Sequence, residues 1–426
     1  MVVKIDDIRH NGRIDINEGI ALGAIKIDTA EREGSREKFW SNNEILLTKI
    51  IKKDTLEDYG EIIGMELAKF LGIETAHYDF ATYNGQNAVV TLSVLEDDEI
   101  LVSGVEIIND VEEYVLRTQG YCKSYYEILN KYGIDDIKNL NKYDKNIKMR
   151  ALYEIIMLVR IAKIKTNYTT LDSLKLSEVG SLSEEIIDEY LFLIDEIFID
   201  INDMYQEDFI LWTNNTHECN NLFDMWAILD AYIRRNKLIV PEGENILEGL
   251  AQRFLFDILT LQGDRHASNW SLIKNKNTNE IRLAPLYDSA NCFYLAELNS
   301  FKEINNTIKK LENPSIDEKK KEKMKQQIKA LMNKSRAKLR YSRDDFDKKV
   351  NNTDMIREFF RETDPSQYEE IVKKIMCLTP ENIEQIFTKI EKNGITIPIE
   401  VKNVVKATLA EGVKEVKEAL NKGVSL

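Results

Sequence analysis

The apolar pattern of this 426-residue chain changes near Val105, and that change limits the folds open to it. Before Val105, segments such as EILLTKII (44–51) run apolar and rich in β-branched residues, which is typical of strands. After Val105, apolar residues recur at helical spacing, as in MRALYEIIMLVRIAKI (149–164). The sequence therefore predicts a bilobal α+β protein, with a small mixed N-terminal lobe over residues 1–104 and a large, mainly helical C-terminal lobe over residues 105–426.

The predicted N-terminal lobe contains a strand, a helix and a hairpin in that order. After the first strand, the segment 55–73 has helical spacing, opens on Thr55 and closes at Gly72. The segment 77–95 then returns to strand character around an Asn-Gly turn. This order is that of a small α+β lobe.

Composition excludes several classes of partner. The formal net charge of −15 and the pI of about 5.0 argue against a nucleic-acid backbone or an anionic membrane as the main partner. No stretch approaches the roughly 18 apolar residues of a spanning helix, and the N-terminus lacks the apolar core of a signal peptide. Four cysteines without a Cys-x-x-Cys pair predict neither a disulfide framework nor a zinc site. We expect a cytoplasmic protein, with signal-independent export as the alternative.

The segment 261–293 carries the residues that point to chemistry. Asp264 precedes Asn269 by five positions, the spacing that separates the catalytic Asp from the metal-binding Asn in protein kinases. NWSLIK (269–274) and IRLAPLYD (281–288) predict a hairpin that returns Asp288 toward that loop. Asp264 would orient the attacking hydroxyl, and Asn269 and Asp288 would hold Mg²⁺, with Mn²⁺ as an alternative ion. ATP is the phosphate donor that this arrangement predicts.

GDRHASNW (263–270) followed by LAPLYDSA (283–290) resembles the catalytic and metal-binding segments of HipA-like serine/threonine kinases. The likeness is greater to the compact, stand-alone members of the cell-translocating-kinase type. It implies a protein-kinase-like fold, and it implies that Arg265 and His266 support the loop rather than react. A surface ion pair for Arg265 and a purely structural role for His266 are the simpler readings of those two residues alone.

Such a kinase needs a lysine for the α- and β-phosphates and a helix glutamate that pairs with it. Lys49 in the predicted strand and Glu61 in the following helix match this need, and the resemblance supports both. Lys52 is the rival amine and Glu66 the rival carboxylate. A solvated strand lysine and a glutamate that complements the helix dipole remain the alternative.

EGSREKFW (33–40) is the candidate phosphate loop, although no G-x-G-x-x-G motif occurs. Gly34 and Ser35 could present backbone N–H groups to phosphates, and Lys38 could add positive charge. In HipA-like kinases a serine of this loop can be autophosphorylated, which ejects the loop and silences the enzyme; Ser35 is the candidate here. An ordinary charged surface loop is the alternative.

These residues predict an ATP- and Mg²⁺-dependent serine/threonine protein kinase that also phosphorylates itself. The alternatives are a small-molecule or lipid kinase of the same fold and a nucleotide-binding pseudokinase that acts as a scaffold. The expected partner is a protein substrate, which the sequence does not identify. From the resemblance we expect the chain to be without the longer N-terminal region of the larger HipA toxins, and we therefore do not expect a DNA-binding antitoxin partner. The helical segments 105–240 and 300–426 carry no motif.

Overall fold

The computed structural model is described for most of the chain, with gaps. The described residues are 5–31, 37–42, 44–161, 176–208, 228–229, 232–263, 265–332, 356–357, 359–360 and 368–423. By their contacts these residues form two compact units: unit 1 combines residues 1–105 with 219–426, and unit 2 contains residues 106–218. The units divide the chain differently from the predicted lobes, because the N-terminal residues share one unit with the C-terminal half. The two-lobe division stays a prediction.

A seven-stranded sheet lies in the N-terminal part of unit 1. Its strand order is β1-β2-β6-β7-β5-β4-β3, and every neighbouring pair is antiparallel except β2 and β6. The strands are β1 (Arg9–His10), β2 (Arg13–Asp15), β3 (Ile27–Glu31), β4 (Lys38–Ser41), β5 (Leu46–Ile50), β6 (Tyr78–Tyr83) and β7 (Gln86–Leu92). The mixed α+β class is therefore confirmed, with the sheet in the N-terminal part.

Alternation along β5 decides which side chains enter the core. Leu46 and Ile50 are buried in a cluster of apolar side chains on one face of the sheet, and Lys49 points to the other face. The β6–β7 hairpin turns at Asn84 and Gly85, both with positive φ, which is the conformation that an Asn-Gly turn requires. The predicted strands and turn are confirmed.

Two helices accompany this sheet. They are α1 (Ile16–Ala21) and α2 (Glu57–Leu71). The helix α2 begins at Glu57 rather than on Thr55, because the Thr55 hydroxyl donates to the Lys52 carbonyl instead of capping the helix. It ends as predicted at Gly72, whose φ of 77° is readily adopted only by glycine. The helix is buried along most of its length, so it is an internal element of unit 1.

The rest of unit 1 is a three-stranded sheet and a set of helices. The sheet has the order β10-β9-β8, with β8 (Glu99–Ser103), β9 (Ser271–Asn275) and β10 (Ile281–Leu283). The predicted hairpin is confirmed by the antiparallel β9–β10 pair, but its second strand ends at Leu283 rather than at Asp288. The helices are α6 (Ile246–Thr260), α7 (Leu298–Leu311), α8 (Glu318–Met332), α9 (Glu369–Met376), α10 (Pro380–Glu391) and α11 (Ile399–Gly423).

Unit 2 is helical in its described residues. It is built mainly from α3 (Gly104–Lys131, whose first two residues belong to unit 1), α4 (Lys145–Ile161) and α5 (Glu184–Asp208). Stacked rings of Tyr125 and Phe198, with centroids 4.3 Å apart, lie in its apolar core. No helix in the described part of the chain is long and apolar enough to cross a membrane.

Candidate active site

The Lys49 ammonium lies between two carboxylates that are far apart in sequence. Its Nζ is 2.7 Å from Glu61 Oε1 on α2 and 2.6 Å from Asp288 Oδ1 in the segment that follows β10. Glu61 is fully buried, the Lys49 side chain is 13% exposed and Asp288 is 35% exposed. One cation therefore joins the sheet, the helix α2 and the hairpin.

The rival residues lie elsewhere. Lys52 is exposed beyond the end of β5. Glu66 is paired with Lys69 and with Lys389 rather than with Lys49. The geometry therefore selects Lys49 and Glu61 as the pair, because Glu61 and Glu66 lie five residues apart on α2 and point to different sides of the helix.

Burial and the opposing charges shift the pKa values of this cluster. Burial would lower the pKa of Lys49, but Glu61 and Asp288 raise it well above its ordinary range, so the ammonium stays charged. Burial also opposes the ionisation of Asp288, yet Lys49, and then Arg265 and Lys38, hold its pKa below the ordinary value. For Glu61 the burial dominates and raises the pKa despite Lys49. At neutral pH Asp288 is thus an ionised, partly exposed carboxylate.

The backbone at Asp288 is fixed from three directions. Its φ of 55° is the left-handed conformation, which is uncommon outside glycine. The Gln262 side chain donates a hydrogen bond to the Asp288 carbonyl oxygen at 2.9 Å. The Asp288 N–H donates to the Tyr78 hydroxyl at 3.2 Å. The next N–H, that of Ser289, donates to Glu61 Oε2 at 2.7 Å. These bonds orient the Asp288 carboxylate.

Two glycines let α2 approach this segment closely. Gly60 faces the Ala290 backbone, and a Cβ atom at Gly64 would lie only 2.7 Å from Ser289 Cβ. Real Cβ atoms essentially never come that close, so α2 or residues 288–290 would have to move to accept any side chain. The short contact brings Glu61 within reach of both Lys49 and the Ser289 N–H.

We expect Gly64→Ala to separate α2 from Ser289 and to reduce the activity of this site about tenfold. The measurement is the KM and kcat of phosphate transfer from ATP, with thermal unfolding to verify folding. Gly180→Ala is the matched control, because a methyl group there meets nothing within 4 Å. Unchanged kinetics in Gly64→Ala would contradict the requirement for close packing.

Tyr78 is a site residue that the sequence did not reveal. It lies at the start of β6, is buried, and its hydroxyl accepts the Asp288 N–H. Burial and the nearby Glu61 charge raise its pKa well above the ordinary value, so the hydroxyl stays protonated. It can therefore also donate a hydrogen bond within the cluster.

Replacing Tyr78 by Phe leaves the partly buried Asp288 N–H without its acceptor, a loss of roughly 1 kcal/mol. We expect phosphate transfer to fall about tenfold while the sheet remains intact, because the ring still packs. Tyr83→Phe in the same strand is the control, since the Tyr83 ring packs on Phe39 at 4.9 Å, away from Asp288. Equal activity of the two variants would contradict a positioning role for the Tyr78 hydroxyl.

The loop after α6 is held by a buried ion pair. Arg265 Nε is 3.0 Å from Asp257 Oδ2, and both side chains are buried. Its Nη1 donates to the carbonyl oxygens of Asn269 and Tyr287 at 3.1 and 2.7 Å. Burial would lower the pKa of Arg265, but Asp257 raises it above the ordinary value. The one guanidinium thus ties the residue before Asp288 to the loop that contains Asn269.

Asn269 ends a short 3₁₀ helix, Ala267–Asn269, and His266 is the residue that caps its start. The His266 ring nitrogen Nδ1 accepts the Ser268 N–H at 3.2 Å, which caps this turn. Asn269 is buried in the same turn. The structure therefore gives His266 a capping contact, as loop support requires. Asp264, the predicted catalytic Asp, lies outside the described residues, although Gly263 and Arg265 on either side are described.

Of the predicted phosphate loop, only its end is described. Gly34 and Ser35 lie outside the described residues. Lys38 begins β4 and is the register partner of Lys49 in β5, so the two lysines lie side by side on one face of the sheet. Lys38 also contributes to the low pKa of Asp288. This face therefore presents two positive charges beside the Asp288 carboxylate.

The described residues contain no cluster of three or more His, Cys, Asp or Glu side chains that could hold a metal by themselves. Asp288 and Asn269 supply a carboxylate and an amide oxygen, which are hard oxygen donors. This small donor set suits Mg²⁺, which usually keeps several waters and binds one or two carboxylates together with substrate phosphates. The two donors are thus of the kind that magnesium prefers, and the magnesium site stays a prediction.

Four contacts of the site escaped sequence reasoning, three of them because their partners are distant. Gln262 and Tyr78 bond the Asp288 backbone and the Ser289 N–H bonds Glu61, whereas Asp257 bonds Arg265. Only Asp257 had a local signal: it lies eight residues before Arg265, on a helix whose buried side chains are mostly apolar. A charged residue on such a face needs a buried partner.

Comparison with known proteins finds a matching family model and similar solved structures, two of which are described here. Residues 203–376 match the HipA-like C-terminal domain, which confirms the resemblance over that region. No curated protein matches the chain. A crystal structure of the Helicobacter pylori proinflammatory kinase CtkA is similar at 14% identity, over 94% of this chain and 98% of that chain, with a TM-score of 0.47. A second similar structure is HipA of the Shewanella oneidensis MR-1 toxin–antitoxin system, in complex with HipB and operator DNA. The identity is 10%, the match covers 92% of this chain and 65% of that chain, and the TM-score is 0.35.

Proposed function

We propose that this chain, which contains a HipA-like C-terminal domain at residues 203–376, is an ATP- and Mg²⁺-dependent protein kinase for serine and threonine hydroxyls. The observation that carries the proposal is the position of Lys49, whose Nζ lies within 2.7 Å of Glu61 and 2.6 Å of Asp288. A strand lysine paired with a helix glutamate and next to a metal-binding aspartate is the arrangement that phosphoryl transfer uses.

Each residue then has a defined task. Lys49 contacts the α- and β-phosphates, with Glu61 holding its ammonium in place, and Lys38 adds charge beside it. Asp288 and Asn269 hold Mg²⁺, which when bound neutralises the charge of the phosphates. Gly34 and Ser35 are the proposed phosphate-loop residues, whose backbone N–H groups would bind the phosphates. Arg265 and Asp257 keep the loop and the hairpin end at a fixed separation.

The transfer step is a displacement at the γ-phosphorus. The oxygen of a substrate serine or threonine forms a bond to that phosphorus while the bond to the β–γ bridging oxygen breaks, and ADP leaves. Asp264 accepts the hydroxyl proton. We extend the proposal to self-phosphorylation at Ser35, on the basis of the family resemblance. We also propose that the protein acts in the cytoplasm, where the free thiols of Cys292 and Cys377 would stay reduced.

Nucleotide binding and phosphate transfer, measured separately, test this proposal. Mg·ATP should raise the unfolding temperature more than Mg·AMP does. The reason is that Lys49 and Asp288 would bind the outer phosphates or the metal ion that accompanies them. Radioactive γ-phosphate should then appear on serine or threonine of the chain or of added protein. Stabilisation by Mg·ATP without any transfer would favour a pseudokinase, and transfer to a small molecule or lipid alone would refute the protein substrate.

A further inference from the structure

Glu66 is a buried carboxylate on α2 that the proposed chemistry does not use. It lies on the side of the helix away from Lys49, and its side chain is 8% exposed. Its Oε2 atom is 2.5 Å from Lys389 Nζ on α10, and its Oε1 atom is 2.8 Å from Lys69 of the same helix. Burial opposes ionisation, but hydrogen bonds from both lysines keep the pKa of Glu66 below its ordinary value. An ionised carboxylate therefore ties α2 to a C-terminal helix.

More contacts join α2 and its surroundings to the same part of the chain. The helix α10 packs against α2 and buries four apolar side chains, Ile383, Ile386, Phe387 and Ile390. The turn after α10 meets the β1–β2 turn, where Gly12 faces the backbone of residues 393–395. Tyr59, near the start of α2, lies at hydrogen-bond distance (3.5 Å) from the Thr396 carbonyl. The C-terminal helices thus cover the side of α2 that faces away from Lys49.

The helix α11 links this region to the catalytic loop. It packs against α6, where Gly412 allows close contact with Leu259. It is also joined to α10, because Lys402 pairs with Glu391 at 2.9 Å and Lys406 with Glu384 at 2.5 Å. Because α6 leads directly into the loop with Arg265 and Asn269, the pair α10–α11 contacts both the helix that carries Glu61 and the helix that carries the loop.

We propose that Lys389 is a positioning residue: through Glu66, the helix pair α10–α11 holds α2 in the register at which Glu61 meets Lys49. Residues 288–290 contact α2 on the opposite side at Gly60 and Gly64, so the helix is held from two directions. The consequence for activity rests on the proposed kinase function, whereas the consequence for the mobility of α2 does not.

The test uses the full chain and three variants. Lys389→Met removes the charge but keeps an apolar stem, and Lys389→Arg keeps the charge. Lys392→Met removes a second exposed lysine, the residue directly after α10. Amide hydrogen exchange followed by mass spectrometry compares peptides from residues 57–71 with peptides from residues 246–260. The KM for ATP and the kcat are measured on the same samples.

We expect Lys389→Met to accelerate exchange in residues 57–71 roughly tenfold while residues 246–260 are unchanged. Transfer should fall about five- to tenfold, Lys389→Arg should recover most of it, and Lys392→Met should match the wild type. Unchanged exchange in residues 57–71, or an equal acceleration in both regions, would overturn the positioning role. An inactive wild type would refute the kinase proposal, but the exchange result would still decide the role of Lys389.

Discussion

Replacing Asp288 by Asn should reduce phosphate transfer by roughly 10³-fold or more while the protein stays folded. Asp288 is the partly exposed carboxylate beside Lys49, and its low pKa keeps it ionised down to acidic pH. Asparagine preserves the shape and the backbone hydrogen bonds to Gln262 and Tyr78, but it removes the negative charge that a magnesium ion needs. The measurement is the rate of γ-phosphate transfer at saturating Mg·ATP.

The matched control is Glu280→Gln, which removes a carboxylate from the exposed tip of the same hairpin. It should keep wild-type activity. Because Glu61 remains beside Lys49 in Asp288→Asn, the ammonium keeps one buried partner and we expect the unfolding temperature to change by only a few degrees. A variant that transfers phosphate at near wild-type rate would exclude Asp288 as the metal ligand.

Replacing Asp257 by Asn should have the largest effect on stability, a loss of roughly 3–5 kcal/mol in the free energy of unfolding. The Arg265–Asp257 pair is almost completely buried, and removal of the carboxylate leaves a guanidinium in the interior without its counter-charge. The loop and the hairpin would then loosen together, because Arg265 also binds the carbonyl oxygens of Asn269 and Tyr287.

Urea unfolding followed by tryptophan fluorescence measures this loss, since the buried Trp270 lies next to the loop. Asp97→Asn, an exposed aspartate in the connection before β8, is the control and should leave the midpoint unchanged. A midpoint for Asp257→Asn within experimental error of the wild type would show that the pair does not hold the loop.

Local patterns were enough to predict the elements that carry the site. Lys49 in an alternating strand, the helix that contains Glu61 and the hairpin that precedes Asp288 all follow from signals within about 20 residues. The spacing of buried and exposed positions along β5 decides which face of the sheet Lys49 occupies. The pairing of Lys49 with Glu61 rather than Glu66 needed the structure, because both acids lie on one helix.

Contacts between distant segments could not be predicted in this way. Tyr78 reaches Asp288 across 210 positions, and Lys389 reaches Glu66 across more than 300; neither residue belongs to a motif. The close contacts of Gly60 and Gly64 could not be predicted either, because a glycine in a helix does not indicate which backbone segment packs against it. The two lobes were predicted from a change of pattern, whereas the compact units depend on which distant segments pack together.

The central claim is that Lys49, Asp288 and the loop between Asp264 and Asn269 transfer phosphate. The most direct test is the intact mass of the purified protein after incubation with Mg·ATP, followed by peptide mapping, beside Asp264→Ala and Asp288→Asn. We predict an added phosphate of about 80 Da on the wild type alone, mapped to Ser35. Equal phosphate on the wild type and both variants, or none on the wild type with any serine- or threonine-containing protein as acceptor, would contradict the assignment.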